Sequence, residues 1–343
     1  MSRRDLLARP PAELPDTGEF VRSTERFRRE LLAHCYHMLG SVDDAEDLVQ
    51  ETYLRAWRFY DGFEGRSSVR AWLYRIATNV CLTALENQER RMLPSGLGGP
   101  AEDPAAPVVP AGPEVRWLQP FPDAPLSRES ADPAAIVASR ESLRLALVAS
   151  LQYLPGRQRA VLILRDVLAW SAAEVADLLG TTVAGVKSTL RRARARLAEV
   201  APAADDVDEP DEPHLRSLLD RYITAFENAD TAGLQRLLSE DAALEATPTT
   251  TWFAGLSTCL PFLADQVLGA PGDWRMFPTR ANGQPAAVAY RRGEDGVHHA
   301  YGVVVLTAGR AGITRIHSFG DPDLVSCFGF PPTAPGGPVP GAR

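Results

Sequence analysis

The sequence predicts a multidomain chain in which two all-α modules precede an α+β domain. Apolar residues recur at three- and four-residue steps over residues 20–92 and again over 134–200, Pro and Gly collect between those stretches, and beyond residue 213 helical spacing gives way to period-two alternation. With 343 residues, 45% of them hydrophobic and 23% charged, the chain can form two or three compact domains and is neither fibrous nor wholly disordered.

In the first module, Phe27, Leu31, Leu32, Cys35, Met38 and Leu39 form one helical stripe. Leu48, Val49, Thr52, Tyr53 and Ala56 form a second, after the polar opening Ser41-Val42-Asp43-Asp44. A third helix is expected over Val69–Arg91, with Trp72, Ile76, Val80 and Ala84 on its apolar face; Trp72 is assigned to the core and Tyr74 either to the core or to base stacking. Residues 93–133 read as an acidic Pro/Gly-rich linker that cannot bury enough apolar area to fold alone, interrupted by the apolar knot Trp117–Pro122.

The second module contains the sharpest local signal. Ser171-Ala172-Ala173-Glu174 is a capping box opening a helix that carries Val175, Ala176, Leu178 and Leu179 and stops at Gly180. Thr181 and Thr182 then cap a helix whose Val183, Val186, Leu190, Ala193 and Leu197 form a core stripe, while Lys187, Ser188, Arg191 and Arg194 point elsewhere. A short helix, a tight Gly turn and a second helix with a basic outer face is helix-turn-helix geometry suited to the DNA major groove. An α-hairpin with a solvated basic face is the plainer alternative.

Charge supports the DNA reading. The chain carries −8 overall, but residues 1–92 carry −1, 93–133 carry −4, 134–200 carry +5 and 201–343 carry −8, so only the helix-turn-helix segment is basic. No apolar run is long enough to span a membrane and the N-terminus lacks the apolar core of a secretory signal, which places the chain in the cytoplasm. Cys35, Cys81, Cys259 and Cys327 lack CxxC spacing and are expected as buried hydrophobes; no metal or cofactor is expected.

The stretches SVDDAEDLVQETYLRAW (Ser41–Trp57) and FEGRSSVRAWLYRIATNVCLTAL (Phe63–Leu85) resemble region 2 of sigma-70 family transcription initiation factors of the extracytoplasmic-function (ECF) class. YLPGRQRAVLILRDVLAWSAAEVADLLGTTVAGVKSTLRRARARL (Tyr153–Leu197) resembles region 4 of that class. The resemblance implies a region 2 helical bundle (20–92), the linker (93–133), a region 4 helix-turn-helix (134–200) and an acidic hinge (201–212). It also implies the partners, core RNA polymerase and promoter DNA.

Asp43, Asp44, Asp47, Gln50, Glu51 and Arg55 fall where such factors dock on the polymerase, although Asp43 and Asp44 would complement a helix N-terminus in any case. The loop Glu64–Ser68 matches the base-capturing loop for the minus-ten element, which makes Arg66, Ser67, Ser68, Arg70, Arg75 and Asn79 candidate DNA contacts. For the minus-thirty-five element the candidates are Thr182, Ala184, Gly185, Lys187, Ser188, Arg191, Arg192 and Arg194, with Arg196 continuing towards phosphates.

Residues 213–331 read as helices over His214–Asn228 and Thr231–Leu238, a strand over Ala242–Ala246, a helix over Leu256–Leu268, and strands over Trp274–Arg280, Pro285–Arg291, Val297–Thr307 and Gly312–Ser318. This α+β order resembles the SnoaL-like, NTF2-like cone attached to a subset of ECF factors, and WLQPFPD (Trp117–Asp123) and FPTRANGQPAAVAY (Phe277–Tyr290) resemble phrases of that subset. TPTTTWFAG departs from its Pro-rich pattern, and residues 332–343 are expected as a disordered tail. Relatives of the cone include small enzymes, and His298, His299, His317, Asp241 and Asp273 could furnish an acid-base pair, but no two have a spacing that demands chemistry. The favoured reading is a non-enzymatic factor whose acidic C-terminal domain controls its two DNA-reading modules, with a small-molecule ligand or a separate anti-sigma protein as further partners. A DNA-binding module fused to an NTF2-like enzyme is the alternative.

Overall fold

The computed structural model describes residues 17–60, 63, 68–86, 89–123, 144–200 and 211–336. Arg66 and Ser67 of the loop expected to capture a base, linker residues 124–133 with the first ten residues of the second module (134–143), hinge residues 201–210 and tail residues 337–343 lie outside it.

The first module comprises α1 (Thr17–Thr24), α2 (Arg28–Leu39), α3 (Val42–Arg58) and α4 (Val69–Leu85). Gly40 ends α2 in the left-handed conformation, φ 72°, and Ser41 immediately caps α3 by accepting from the Asp44 amide, so two residues turn the chain between helices. The buried face of α4 is rotated by about one residue from the expected stripe. Leu73, Tyr74, Ala77, Val80 and Cys81 are buried, whereas Trp72 and Ile76 are half-buried. Trp72 packs against the core from its edge, beside Phe63 and Tyr60 at ring separations of 4.9 and 6.3 Å. Helix α4 also ends at Leu85, short of Arg91, because Met92 leaves the helical path to pair with the linker: its amide donates to the Arg116 carbonyl and its carbonyl accepts from Leu118.

The second module comprises α5 (Leu145–Leu151), α6 (Gly156–Leu162, widening into a π turn over Ile163–Val167), α7 (Ala172–Leu179) and α8 (Val183–Val200). It packs on the first through α4, and one apolar core runs through both. Arg159 of α6 is buried at this junction and donates to the carbonyls of Met38, Gln152 and Leu154, the first at the C-terminal turn of α2, where a cation also meets the helix dipole. Burial without a carboxylate lowers its pKa to about 10.

The C-terminal domain comprises α9 (Glu212–Glu227), α10 (Thr231–Gln235), β1 (Leu238–Thr247), β2 (Trp252–Ala254), α11 (Leu256–Phe262, then a π turn to Val267), β3 (Trp274–Ala281), β4 (Gln284–Arg292), β5 (His298–Gly309), β6 (Gly312–Phe319) and α12 (Pro322–Cys327). Pro261, which has no N–H to donate, disturbs the ladder of the helix expected over Leu256–Leu268. The six strands form one sheet in the order β2-β1-β6-β5-β4-β3, with β1 and β6 parallel and the other neighbours antiparallel. This is the expected α+β cone, with β2 and α12 in addition.

Both faces of the sheet are covered. Ala287, Ala289, Val304 and Leu306 face α9–α11, while Ala286, Val288, Tyr290, Val303 and Val305 join the core of the helical modules. Burial on both sides explains why QPAAVAY and GVVVL read as continuous apolar runs rather than alternating ones.

Two expectations are corrected. Linker residues 93–123 are built into the protein, with Leu118 and Phe121 fully buried, because the chain borrows its core from the domains on either side. Residues 332–334, expected in a disordered tail, are held at the edge of β5: Ala300 donates to the Pro332 carbonyl and Ala334 to that of His298. Cys35, Cys81 and Cys259 are buried as expected, whereas Cys327 is only partly so.

Candidate nucleic-acid interface

The helix-turn-helix is built as the residues require. Ser171 accepts from the Glu174 amide at 3.2 Å while Glu174 accepts from that of Ser171 at 2.7 Å, and Gly180 turns the chain at φ 60°. Thr182 then caps α8 by accepting from the Gly185 amide at 3.0 Å. Thr182, Ala184, Lys187, Arg191, Arg192, Arg194 and Arg196 are exposed on α8, with Gly185 and Ser188 half-buried. Val183, expected in the core stripe, is 41% exposed, since the first turn of α8 projects beyond α7. Two cations are already engaged: Arg194 holds Asp166 through two bonds of 2.7 and 2.9 Å, and Arg192 reaches the Thr189 hydroxyl at 3.3 Å.

Of the described residues expected at the minus-ten element, Arg70 and Arg75 meet the second module. Ser68 caps α4 by accepting from the Ala71 amide at 3.1 Å. Arg70 pairs with Glu30 at 2.7 Å and lies over the rings of Tyr74 and Trp170, at 5.1 and 5.7 Å. Arg75 donates to the Asp177 carbonyl of α7 at 3.4 Å, while Asn79 is exposed. Tyr74 is fully buried, with its hydroxyl towards Glu30, so it belongs to the core and has no face for a base.

Helix α3 divides into two parts. Asp47 and Gln50 are exposed and Glu51 pairs with Arg55 at 2.6 Å, next to Leu54 and Phe59, which are 51% and 66% exposed. Periodicity could not single out these two apolar residues, because only the fold shows which turn of the helix lacks a neighbour. Asp43 and Asp44 are occupied instead. Asp44 pairs with Arg91 at 2.6 Å and Arg116 at 3.2 Å, and Gln119 Nε2 donates to Asp43 at 2.7 Å. The Gln119 carbonyl group Oε1 also accepts from the Ser41 hydroxyl and the Val42 amide, at 2.6 and 3.0 Å, and so completes the α3 N-terminus.

Gln119 belongs to one of the two phrases of the C-terminal-domain subset, and the fold brings the two phrases together. The Phe121 amide donates to Asn282 Oδ1 at 2.8 Å and the Asn282 amide to the Phe121 carbonyl at 2.9 Å. Asn282 Nδ2 donates to the Tyr36 hydroxyl at 2.8 Å, and that hydroxyl donates to the Gln119 carbonyl at 2.8 Å. Asp123 accepts from the Gly283 amide at 2.9 Å and from Arg280 at 3.4 Å. The β3–β4 hairpin turn, Asn282-Gly283, thus clamps the linker against α2. Tyr36, Gln119, Asp123, Arg280 and Asn282 escaped sequence reasoning as functional residues; the two phrases were the signal, without a partner to point to.

The candidate acid-base residues of the C-terminal domain are not brought together. His298 bonds the Gly272 carbonyl at 2.9 Å, His299 pairs with Asp295 at 2.8 Å on the surface, and the Asp273 carboxylate accepts from the Ala270 amide at 2.8 Å. His317 lies 3.4 Å from Glu245, a residue the sequence did not single out. Burial opposes the Glu245 charge, but His317 and the Ser95 amide at 2.9 Å hold its pKa down to about 2. Among the described residues, no group of three His, Cys, Asp or Glu side chains is placed to hold a metal, and no helix is long and apolar enough to cross a membrane.

Comparison with known proteins matches residues 24–91 to Sigma-70 region 2 and residues 144–197 to Sigma-70, region 4. The chain is 50% identical over 316 residues to the ECF RNA polymerase sigma factor SigG of Mycobacterium tuberculosis, covering 92% of this chain and 84% of that one. The chain belongs to the ECF sigma factors. It is also 28% identical over 182 residues to the ECF sigma factor SigW of Bacillus subtilis, across 53% of this chain and 88% of SigW, so that likeness leaves nearly half of this factor unmatched. The crystal structure of the M. tuberculosis ECF factor SigJ superposes with a TM-score of 0.58 at 23% identity, over 91% of this chain and 99% of SigJ, and shares the fold. The sigma factor therefore carries regions 2 and 4 as its two helical modules, with the α+β cone behind them.

Proposed function

We propose that this sigma factor binds core RNA polymerase through the exposed part of α3, with Asp47, Gln50 and Glu51 orienting the contact and Leu54 and Phe59 supplying its apolar area. Arg66, Ser67, Ser68, Arg70, Arg75 and Asn79 meet the minus-ten element, and Thr182, Ala184, Gly185, Lys187, Ser188, Arg191, Arg192 and Arg194 meet the minus-thirty-five element. The factor acts in the cytoplasm and has no catalytic residue of its own.

The described conformation is a closed one, and the C-terminal domain holds it closed. One observation carries this reading: Asp43 and Asp44 are occupied by linker residues, and the linker is in turn clamped by Asn282 of the C-terminal domain. Docking on polymerase and opening over a promoter therefore require the clamp to release, and each state is favoured by its own contacts. Run-off transcription with purified core enzyme tests the reading. Asp47→Ala with Leu54→Ser is expected to lower polymerase association and output at least tenfold with unchanged folding; full output from this variant would refute the docking face.

A further inference from the structure

The first turn of α8 differs from the basic stretch that follows it. Between Thr182 and Lys187 the chain reads Val183-Ala184-Gly185-Val186, with no side chain that can donate or accept a hydrogen bond. Val186 is fully buried, whereas Ala184 is exposed and Val183 is 41% exposed. Among the described residues of the second module, Val183 is the one large apolar side chain that is exposed. Had it joined the buried stripe, it would be silent towards DNA; the projection of this turn beyond α7 frees it.

The nearest polar side chains are turned back on the helix. Thr182 Oγ1 accepts from the Gly185 amide at 3.0 Å. A Cβ on Gly185 would stand 2.8 Å from Thr181 Oγ1 and 3.2 Å from Thr182 Oγ1, so both hydroxyls are folded over this turn. The leading edge of α8 therefore presents the methyl groups of Val183 and Ala184. Behind that edge the helix is suited to DNA: Lys187, Arg191, Arg192 and Arg196 are exposed, the first turn holds no acidic residue, and residues 134–200 carry +5.

Helix-turn-helix readers bring the N-terminal residues of the second helix to base edges in the major groove. Those edges are told apart by donors and acceptors, with one apolar exception, the 5-methyl group of thymine. A leading edge of two methyl-bearing side chains has that group as its complement, since it cannot satisfy a donor or an acceptor. We infer that Val183 is a specificity-determining residue of this sigma factor, packing with Ala184 against the 5-methyl group of a thymine in the minus-thirty-five element. The inference deepens the promoter reading above and rests on it for the placement of α8 in the groove.

The test uses the holoenzyme, this factor on core polymerase, with a promoter fragment taken from a mapped start site and affinity measured by fluorescence anisotropy. Each thymine of the minus-thirty-five element, on either strand, is replaced in turn by deoxyuridine, which deletes the 5-methyl group and keeps every hydrogen-bonding group. The expected result is a position at which uracil weakens binding about fourfold, the value of covering one methyl-sized group. Val183→Ala is expected to bring that ratio below about twofold while leaving the salt dependence of binding as in the parent, because no phosphate contact is lost. The uracil scan on the parent needs no variant, so it decides the matter even if Val183→Ala folds poorly. A penalty below about twofold at every thymine, or one that persists above about twofold in a folded Val183→Ala factor, would overturn the inference. Binding that is indifferent to the whole minus-thirty-five sequence would overturn the promoter reading and this inference with it, an outcome distinct from a promoter that is read without its methyl groups.

Discussion

Replacing Asn282 with Gly removes the clamp while sparing the turn. Asn282 sits at φ 55°, a left-handed conformation that Gly adopts freely and Ala would enter at roughly 1–2 kcal/mol, so Gly isolates the side chain's bonds. At least two are lost, both at 2.8 Å: the one accepted from the Phe121 amide and the one donated to the Tyr36 hydroxyl. The Phe121 amide, beside a fully buried ring, is left without an acceptor at about 1–3 kcal/mol. Tyr36 still donates to Gln119, so its loss lies nearer 1 kcal/mol. The sum, about 2–4 kcal/mol, corresponds to a roughly 30- to 1,000-fold shift towards the unclamped state, since 1.4 kcal/mol is a factor of ten. Native-state hydrogen exchange at the Phe121 and Leu118 amides reads that shift directly, and run-off transcription reads its consequence as higher output per bound polymerase. Protection within threefold of the parent would refute the reasoning, because it would mean that these bonds do not hold the linker down.

Three further outcomes follow from single observations. Glu245 is ionised in the fold down to a pKa of about 2, against 4.5 for the free side chain, so its contribution is complete above about pH 4.5 and is lost as pH falls through 2. Glu245→Gln should therefore cost of the order of 2–4 kcal/mol in urea unfolding at pH 7 and much less at pH 2; equal losses at both would count against a charge-based role. Lys187→Ala, on the exposed face of α8, should weaken binding to a minus-thirty-five duplex at all sequences and reduce the slope of log K against log salt by about one, as measured by fluorescence anisotropy; an unchanged slope rules out a phosphate contact there. Gly40→Ala places a Cβ at φ 72° and 2.7 Å from Leu118 Cδ1, so thermal unfolding should show a loss of at least about 1–2 kcal/mol; parent-like stability would mean that the α2–α3 turn can relax.

The caps of the helix-turn-helix were legible residue by residue, because they are local: Ser171, Glu174, Gly180 and Thr182 act on groups within four positions of themselves. Five of the six strands of the cone were legible to within a few residues from local alternation, and the short β2 was missed. The linker was not legible. Its composition forbids a core of its own, and nothing in Pro-rich sequence announces that Leu118 and Phe121 are received by helices behind and a hairpin 161 residues ahead. Nor could spacing show that Arg70 and Arg75, placed on α4 for DNA, meet Glu30 and α7 in this conformation.

Local chemistry, then, settled which segments are helices, which are strands, where the DNA-reading helix begins and which family the motifs belong to, since each of those depends on neighbours within one or two turns of chain. Long-range packing settled which faces are open and which acids on α3 are already taken. Those properties depend on side chains far apart in the chain meeting across shared apolar surface, and a one-dimensional pattern carries no record of which distant partner a buried face will find.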